Sequence, residues 1–343
     1  MITRSLLTLL LCLWSVSAQP IVIKMGTLAP KDTRWHQILL QMGEQWKKVS
    51  DGKVQLKVYP GGEQGDEPAM VQKMRIKSLQ SVALSGAGLS GIEPGVSALQ
   101  IPLMIDSYPE LDYVRDHISA RLEKGLLQRG YVVLNWADAG WVYFFSKTPA
   151  TRPDEFRKLK LCVLMGDNTT FELYKANGFH PQALAATDIL TGLNTGLIES
   201  FQSPTIVALA NQWFAGAKNM LDLKLAVLSG ATLLSKDVWE KIPANVRPEI
   251  MKASVQAGAD IREEIRKLEA GSISMMQQFG LNVVKPDAAA YAEWKNLIET
   301  KLYPSLRTQG MPADLFDEVK RLRDEYRKAH PVAKAAAEAR GGR

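Results

Sequence analysis

The stretch from residue 244 to about 278 sets the strongest limit on the shape of this chain. No proline interrupts it after Pro248, and charged residues are spread along it at Arg262, Glu263, Glu264, Arg266, Lys267 and Glu269, as in one continuous solvated helix. At about 1.5 Å per residue such a helix is about 50 Å long, more than a single small domain is wide. The spacing therefore predicts a helix that spans two lobes, and the rest of the chain has to supply both.

That remainder reads as α/β. Ile21-Val22-Ile23-Lys24-Met25-Gly26 is a short strand that leads into the breaker-rich Thr27-Leu28-Ala29-Pro30. Trp35, Ile38, Leu39, Met42, Trp46 and Val49 then recur at spacings of three and four, which places them on one helix face, and Asp51-Gly52 ends the helix. Val54, Leu56 and Val58 alternate with Lys53, Gln55 and Lys57, the period of a half-buried strand. The opening unit is β-α-β. The order repeats with a helix capped by Asp66, carrying Pro68 in its first turn, and a strand over 81–84. Further on, the pattern predicts a helix over 108–128, separate strands over 131–136 and 141–145, a strand over 159–164, and helical stretches over 187–194 and 203–215.

The first residues have the build of a secretory signal peptide: Arg4, an apolar run over 6–14, and Ser15-Val16-Ser17-Ala18 before a cleavage point at Gln19. The run is about half of the roughly 20 residues a membrane-crossing helix needs, and no later stretch approaches that length. Without twin arginines, export of an unfolded chain to the periplasm is the expectation. Bulky Leu11 before Cys12 argues against lipid attachment, and Cys12 leaves with the leader. Cys162 then stands alone, so no internal disulfide can form. The net charge of +6 is scattered along helices rather than gathered in one basic run, which fits a solvated surface and not a nucleic-acid face. The tail over 331–343, rich in Ala, Arg and Gly, reads as flexible.

Several stretches resemble the DctP-type solute-binding proteins of TRAP transporters. They are Leu28-Ala29-Pro30 with Trp35-His36, Tyr59-Pro60-Gly61-Gly62 with Gln64-Gly65-Asp66-Glu67, and Leu99-Gln100-Ile101-Pro102-Leu103. In the second half they are Leu159-Lys160-Leu161, Asn177-Gly178-Phe179-His180-Pro181, Leu193-Asn194-Thr195-Gly196 and Gln202-Ser203-Pro204. The resemblance implies a two-lobed periplasmic-binding-protein fold with hinge strands and a long lobe-spanning helix, closing on a small-molecule ligand held between the lobes. The implied layout is a leader over 1–18, lobe I over 19–139 plus 229–268, lobe II over 140–228 plus 269–330, and the tail. It also implies membrane transporter subunits as partners, so that the membrane is met only through them. A sensor or carrier of an apolar ligand serving a different membrane machine is the alternative on the same fold.

The chain departs from that family where the family holds its ligand. The resemblance implies a bidentate arginine on the strand after Leu-Lys-Leu, where this chain has Cys162, and a second arginine on the preceding strand, where it has Val142. Ser203 stands where asparagine is more common. The fork of an arginine pairs with both carboxylate oxygens, and a buried charge that loses its partner costs about 3–5 kcal/mol. A neutral or largely apolar ligand is therefore expected. Trp35, Trp141, Phe171 and Trp213 would supply contact area, Ser85, Asp138, Asn168 and Ser203 would orient it, and Gly86, Val142, Cys162 and Met165 complete the candidate set. Arg34, Arg75 and Lys147 are the candidates to replace the lost arginine.

Enzymatic readings are weak on the residues present. Gly86-Ala87-Gly88-Leu89-Ser90-Gly91 fits the dinucleotide pattern, but Ile92-Glu93-Pro94-Gly95 follows and interrupts the helix that would carry the pyrophosphate, so a flexible loop lining the cleft is the reading preferred. His36, His117, His180 and His330 are dispersed, which predicts no metal, and no cofactor motif stands out. Cys162 lies in the apolar strand Leu161-Cys162-Val163-Leu164 and reads as a small buried hydrophobe.

Overall fold

The structure, a computed structural model, describes residues 19–331, so the leader and all of the tail but its first residue lie outside it. Ten strands are joined in one mixed sheet: β1 (Ile21–Thr27), β2 (Val54–Tyr59), β3 (Ser81–Ser85), β4 (Tyr131–Ser146), β5 (Lys160–Leu164), β6 (His180–Leu184), β7 (Ser200–Pro204), β8 (Asn219–Leu221), β9 (Val227–Ser235) and β10 (Asn282–Val284). Their order is β2-β1-β3-β9-β4-β7-β5-β6, with β8 also on β4 and β10 on β8. The β1/β2 and β1/β3 pairs are parallel, as are the β5/β6 and β5/β7 pairs, and β9 runs antiparallel to β3 and β4.

Strand β4 belongs to both halves of the molecule. Its first part pairs with β9, and Val142–Ser146 pairs with β7. The register shifts between Asp138 and Trp141, where Gly140 has φ +107°, a conformation open to glycine alone at little cost. The two strands expected over 131–136 and 141–145 are thus one. Ala137-Asp138-Ala139-Gly140 hid the join because none of these residue types favours a strand. The helical stretch expected over 203–215 begins later than its pattern, since Ser203 and Pro204 close β7.

Seven helices position the site: α1 (Arg34–Val49), α2 (Glu67–Arg75), α3 (Tyr108–Gln128), α4 (Asn168–Ala176), α5 (Thr205–Ala210), α6 (Arg247–Gln278) and α7 (Ala313–Ala329). Helix α6 has 32 residues, about 48 Å. It touches both halves. The Ser254 hydroxyl accepts from Trp46 Nε1 of α1 at 3.0 Å, and five turns later the Ser272 hydroxyl donates to Thr205 Oγ1 of α5 at 2.7 Å. Between them Gly258 brings α6 onto β4, where a Cβ would lie 2.6 Å from Asn135 Cβ and 2.7 Å from the Trp136 carbonyl oxygen.

Two buried clusters follow from this layering. One holds Ile23, Met25, Ile38, Leu39, Met42 and Trp46 with Ile250, Ile261 and Ile265, between the first-half strands, α1 and α6. The other continues from α2 and α3 through the β4 aromatics into the second half, where Phe145 stacks on Phe201 with centroids 4.9 Å apart. Helix α7 lies within 269–330, the segment expected in lobe II, yet it packs on α3 in the first half. The cause is electrostatic as well as apolar: Arg327 binds Asp106 and the buried Glu110, with Nε 2.6 Å from Glu110 Oε1.

Gly258→Ala forces the Cβ onto backbone and side-chain atoms that cannot yield without separating helix from strand. The expected loss is about 1–3 kcal/mol, read from the urea midpoint. An unchanged midpoint would show that the close approach is not needed.

Candidate ligand site

Where β3, β4 and β9 meet the second half, the chain leaves two adjoining chambers. The carboxyl ends of the parallel strands β1, β3 and β5 open there, as expected for a ligand cleft in an open α/β sheet. The first chamber, about 120 Å³, has Trp35, Ser85 and Ala137–Ala139 on one side and Gln202, Ser203, Val207, Asn211 and Trp213 on the other. The second, about 180 Å³, is bounded by Gly86, Val142, Cys162, Asp167, Tyr174 and the apolar Leu302 and Leu306. Leu164, Gln202, Pro204 and Leu228 line both.

Asp66 caps α2, its Oδ1 accepting from Ala69 N at 2.9 Å, and so aims the first residue of the helix, Glu67, at the end of β3. The Glu67 carboxylate accepts from Ser85 N, from Ser85 Oγ at 2.7 Å and from Gly88 N at 3.0 Å. Burial pushes the Glu67 carboxyl above the usual range against the pull of these hydrogen bonds. The glycine pattern expected to form a flexible loop is a five-residue helix, Gly86–Ser90, packed tightly enough that a Cβ at Gly88 would meet Glu67 and one at Gly86 would meet Gln100. Its free amides are thus occupied by the protein's own carboxylate.

Asp138 is fully buried at the β4 irregularity. Its carboxylate accepts from Arg115 Nη1 of α3 at 3.0 Å and from Arg266 Nη2 of α6 at 2.7 Å. Arg266 reaches Asp112 with both terminal nitrogens at 2.7 Å, and Arg115 also pairs with Asp112. One turn along α6, Glu269 accepts from the Trp141 backbone N at 2.8 Å and from Tyr108 Oη at 2.7 Å. The amide that the sheet ladder loses at Gly140 is thereby satisfied from the long helix.

The structure gathers eight of the twelve candidate residues in these chambers. Trp35, Ser85, Asp138, Ser203 and Trp213 line the first, and Gly86, Val142 and Cys162 the second. All three of the polar ones are already engaged: Asp138 by its arginines, Ser85 by Glu67, and Ser203, whose hydroxyl donates to the Pro204 carbonyl at 2.9 Å. Four lie elsewhere. Trp141 is buried against Tyr108, Met165 and Asn168 are exposed, and Phe171 packs on the second-half core. Arg34, Arg75 and Lys147 line neither chamber.

Sequence reasoning missed Glu67 as a cleft residue, and it missed Asp167, Tyr174 and Gln202. Asp167-x-x-Thr170 is a helix-cap signal that could have placed the first: Oδ1 of Asp167 accepts from Thr170 N at 3.0 Å at the start of α4. Burial raises the Asp167 carboxyl. It also pushes the Cys162 thiol up to about 12. Among the described residues no group of His, Cys, Asp and Glu is arranged to hold a metal ion, and no helix is long and apolar enough to cross a membrane.

Comparison with known proteins agrees with the geometry. The profile of the bacterial extracellular solute-binding protein family 7, DctP, matches residues 25–306. The sialic acid-binding periplasmic protein SiaP of Vibrio cholerae is 23% identical over 277 residues, 79% of this chain and 85% of that protein. The C4-dicarboxylate-binding periplasmic protein DctP of Rhodobacter capsulatus is 24% identical over 243 residues, 70% and 72% of the two chains. Among solved structures, a TRAP periplasmic solute-binding protein of Xanthobacter autotrophicus with bound β-D-galacturonate superimposes with a TM-score of 0.81 at 19% identity, over 88% of this chain and 99% of that one. One from Sulfurospirillum deleyianum with bound succinate gives 0.81 at 18% identity, over 88% and 99%.

Asp138→Ala leaves buried Arg115 and half-buried Arg266 to share the single carboxylate of Asp112, and is expected to cost about 3 kcal/mol in thermal or urea unfolding. The Cys162 thiol should resist a disulfide reagent at pH 8 in the folded protein and react freely in urea. Because its folded-state pKa is raised, its contribution to stability is full below the unfolded value of about 8.5 and is lost as pH climbs toward about 12. Rapid labelling of the native protein would contradict this burial.

Proposed function

Because this chain belongs to the bacterial extracellular solute-binding protein family 7, a family of transport binding proteins and not of enzymes, we propose that it captures a small, uncharged and largely apolar ligand between its halves. It then delivers that ligand from the periplasm to the membrane subunits of a TRAP-type transporter.

The observation that carries the ligand class is the charge of the cleft. Among the described residues lining the two chambers there is no Arg, Lys or His, and the carboxylates there are Glu67, Asp138 and Asp167. The structural relatives are named for bound acids such as β-D-galacturonate and succinate. The positions at which the family resemblance puts arginines, Cys162 and Val142, are both in the second chamber, and neither carries a charge. A ligand carboxylate would meet no opposite charge there, only carboxylates, neutral polar groups and apolar wall. At about 3–5 kcal/mol for an unpartnered buried charge, it would forfeit two to four decades of affinity.

An apolar body suits the first chamber. Trp35, from α1, and Trp213, just beyond α5, come from opposite halves, so a ligand lying between them touches both and favours closure. The chemistry is binding and release.

Calorimetry decides the ligand class: succinate and D-galacturonate should give no binding heat at millimolar concentration, whereas apolar neutral metabolites should bind in the micromolar range. Micromolar affinity for either acid overturns the proposal. Trp213→Ala should weaken a neutral ligand by about 10-fold or more, while unfolding monitored in parallel shows that the fold persists.

A further inference from the structure

We infer that the second chamber reads a hydroxyl group on the ligand, whose proton is donated to the Asp167 carboxylate and whose oxygen accepts from the Tyr174 phenol. The inference rests on the neutral-ligand reading above and adds the polar group that such a ligand presents.

Among the described residues the Asp167 carboxylate is engaged by Thr170, through the backbone N at 3.0 Å and the side-chain hydroxyl. No basic side chain pairs with it among the described residues. A carboxylate has about four acceptor sites, so capacity remains for an incoming donor. Tyr174 is 6% exposed, and its oxygen accepts from Gln202 Nε2, which leaves the phenol proton without a bonded acceptor among the described residues. Asp167 and Tyr174 both line the chamber from one element, Asp167 capping α4 and Tyr174 two turns further along it. The chamber thus offers one acceptor and one donor from the same helix, with Val142, Leu173 and Leu306 as apolar wall.

That pair complements a group which both donates and accepts. An ammonium satisfies Asp167 but gives Tyr174 nothing to donate to, and an ether does the reverse. A carboxylate is opposed twice, because the N-terminus of α4 that would attract an anion is already capped by Asp167 itself. Tyr174 is buried, so a hydrogen bond left unmade there is penalised more heavily than at a surface. Gln202 lines both chambers and holds Tyr174, which connects the polar head to the apolar body between Trp35 and Trp213.

The test is calorimetric titration of the full mature chain with four probes on one skeleton: 2-phenylethanol, its methyl ether, 2-phenylethylammonium and phenylacetate. The alcohol is expected to bind about 10-fold tighter than each of the others. Tyr174→Phe and Asp167→Asn, which keep the ring and the helix cap, should each shrink the alcohol-to-ether ratio to about threefold or less. An ether that binds as tightly as the alcohol, an ammonium that binds tightest, or a ratio untouched by both substitutions overturns the inference and leaves the neutral-ligand reading or its charge to be judged by the acid titrations. Phenylacetate binding tightest overturns both readings. Failure of all four probes at millimolar concentration, in a chain that unfolds normally, also counts against the hydroxyl site.

Discussion

Asp138 is the point on which the two halves depend. It is a carboxylate with no exposure, placed on the strand that both halves share, and it is neutralised by one arginine from α3 and one from the long helix α6. Asp112 ties the same two arginines together. Charges are buried only when paired and hydrogen-bonded, so this cluster tolerates one arrangement of β4, α3 and α6 and no sliding between them. Glu269, a turn further on, then takes the backbone amide that the shifted ladder leaves free. Strand, helix and irregularity are fixed together.

This arrangement shapes the chemistry of the cleft. Asp138 borders the first chamber, but its oxygens face arginines that do not line it. The positive charge the molecule does bury is behind the cleft wall and committed to carboxylates of the protein. What remains toward the cleft is apolar surface, the side chains Trp35 and Trp213, and a short polar set around Gln202.

Much of the fold was legible because periodicity reports burial. The helix over 108–128 came out residue for residue, the α1 and β2 patterns to within a position or two, and α6 was foreseen from its length and lack of breakers. The errors lie where tertiary contacts override local preference. Residues 137–140 continue a strand because β9 and Glu269 hold them, and α7 joins the first half because Arg327 finds Asp106 and Glu110 far along the chain. The site was half legible. Residues on conspicuous motifs, such as Trp35, Cys162 and Ser203, do reach the chambers, whereas Trp141 and Phe171 were chosen for size, and size alone does not separate a ligand wall from a core. Tyr174 carries no sequence signal, and Gln202, though it stands in the Gln202-Ser203-Pro204 stretch, shows its role only when folding brings it to Tyr174.

The turn after β3 has a further consequence. Its backbone amides form the kind of cradle that in other α/β proteins receives a phosphate, and here the Glu67 carboxylate sits in it. The protein carries a built-in occupant there. With Ser85 N and Gly88 N already donating to Glu67, those amides are not offered to an incoming anion, and the turn serves to anchor α2 to β3 rather than to receive a solute.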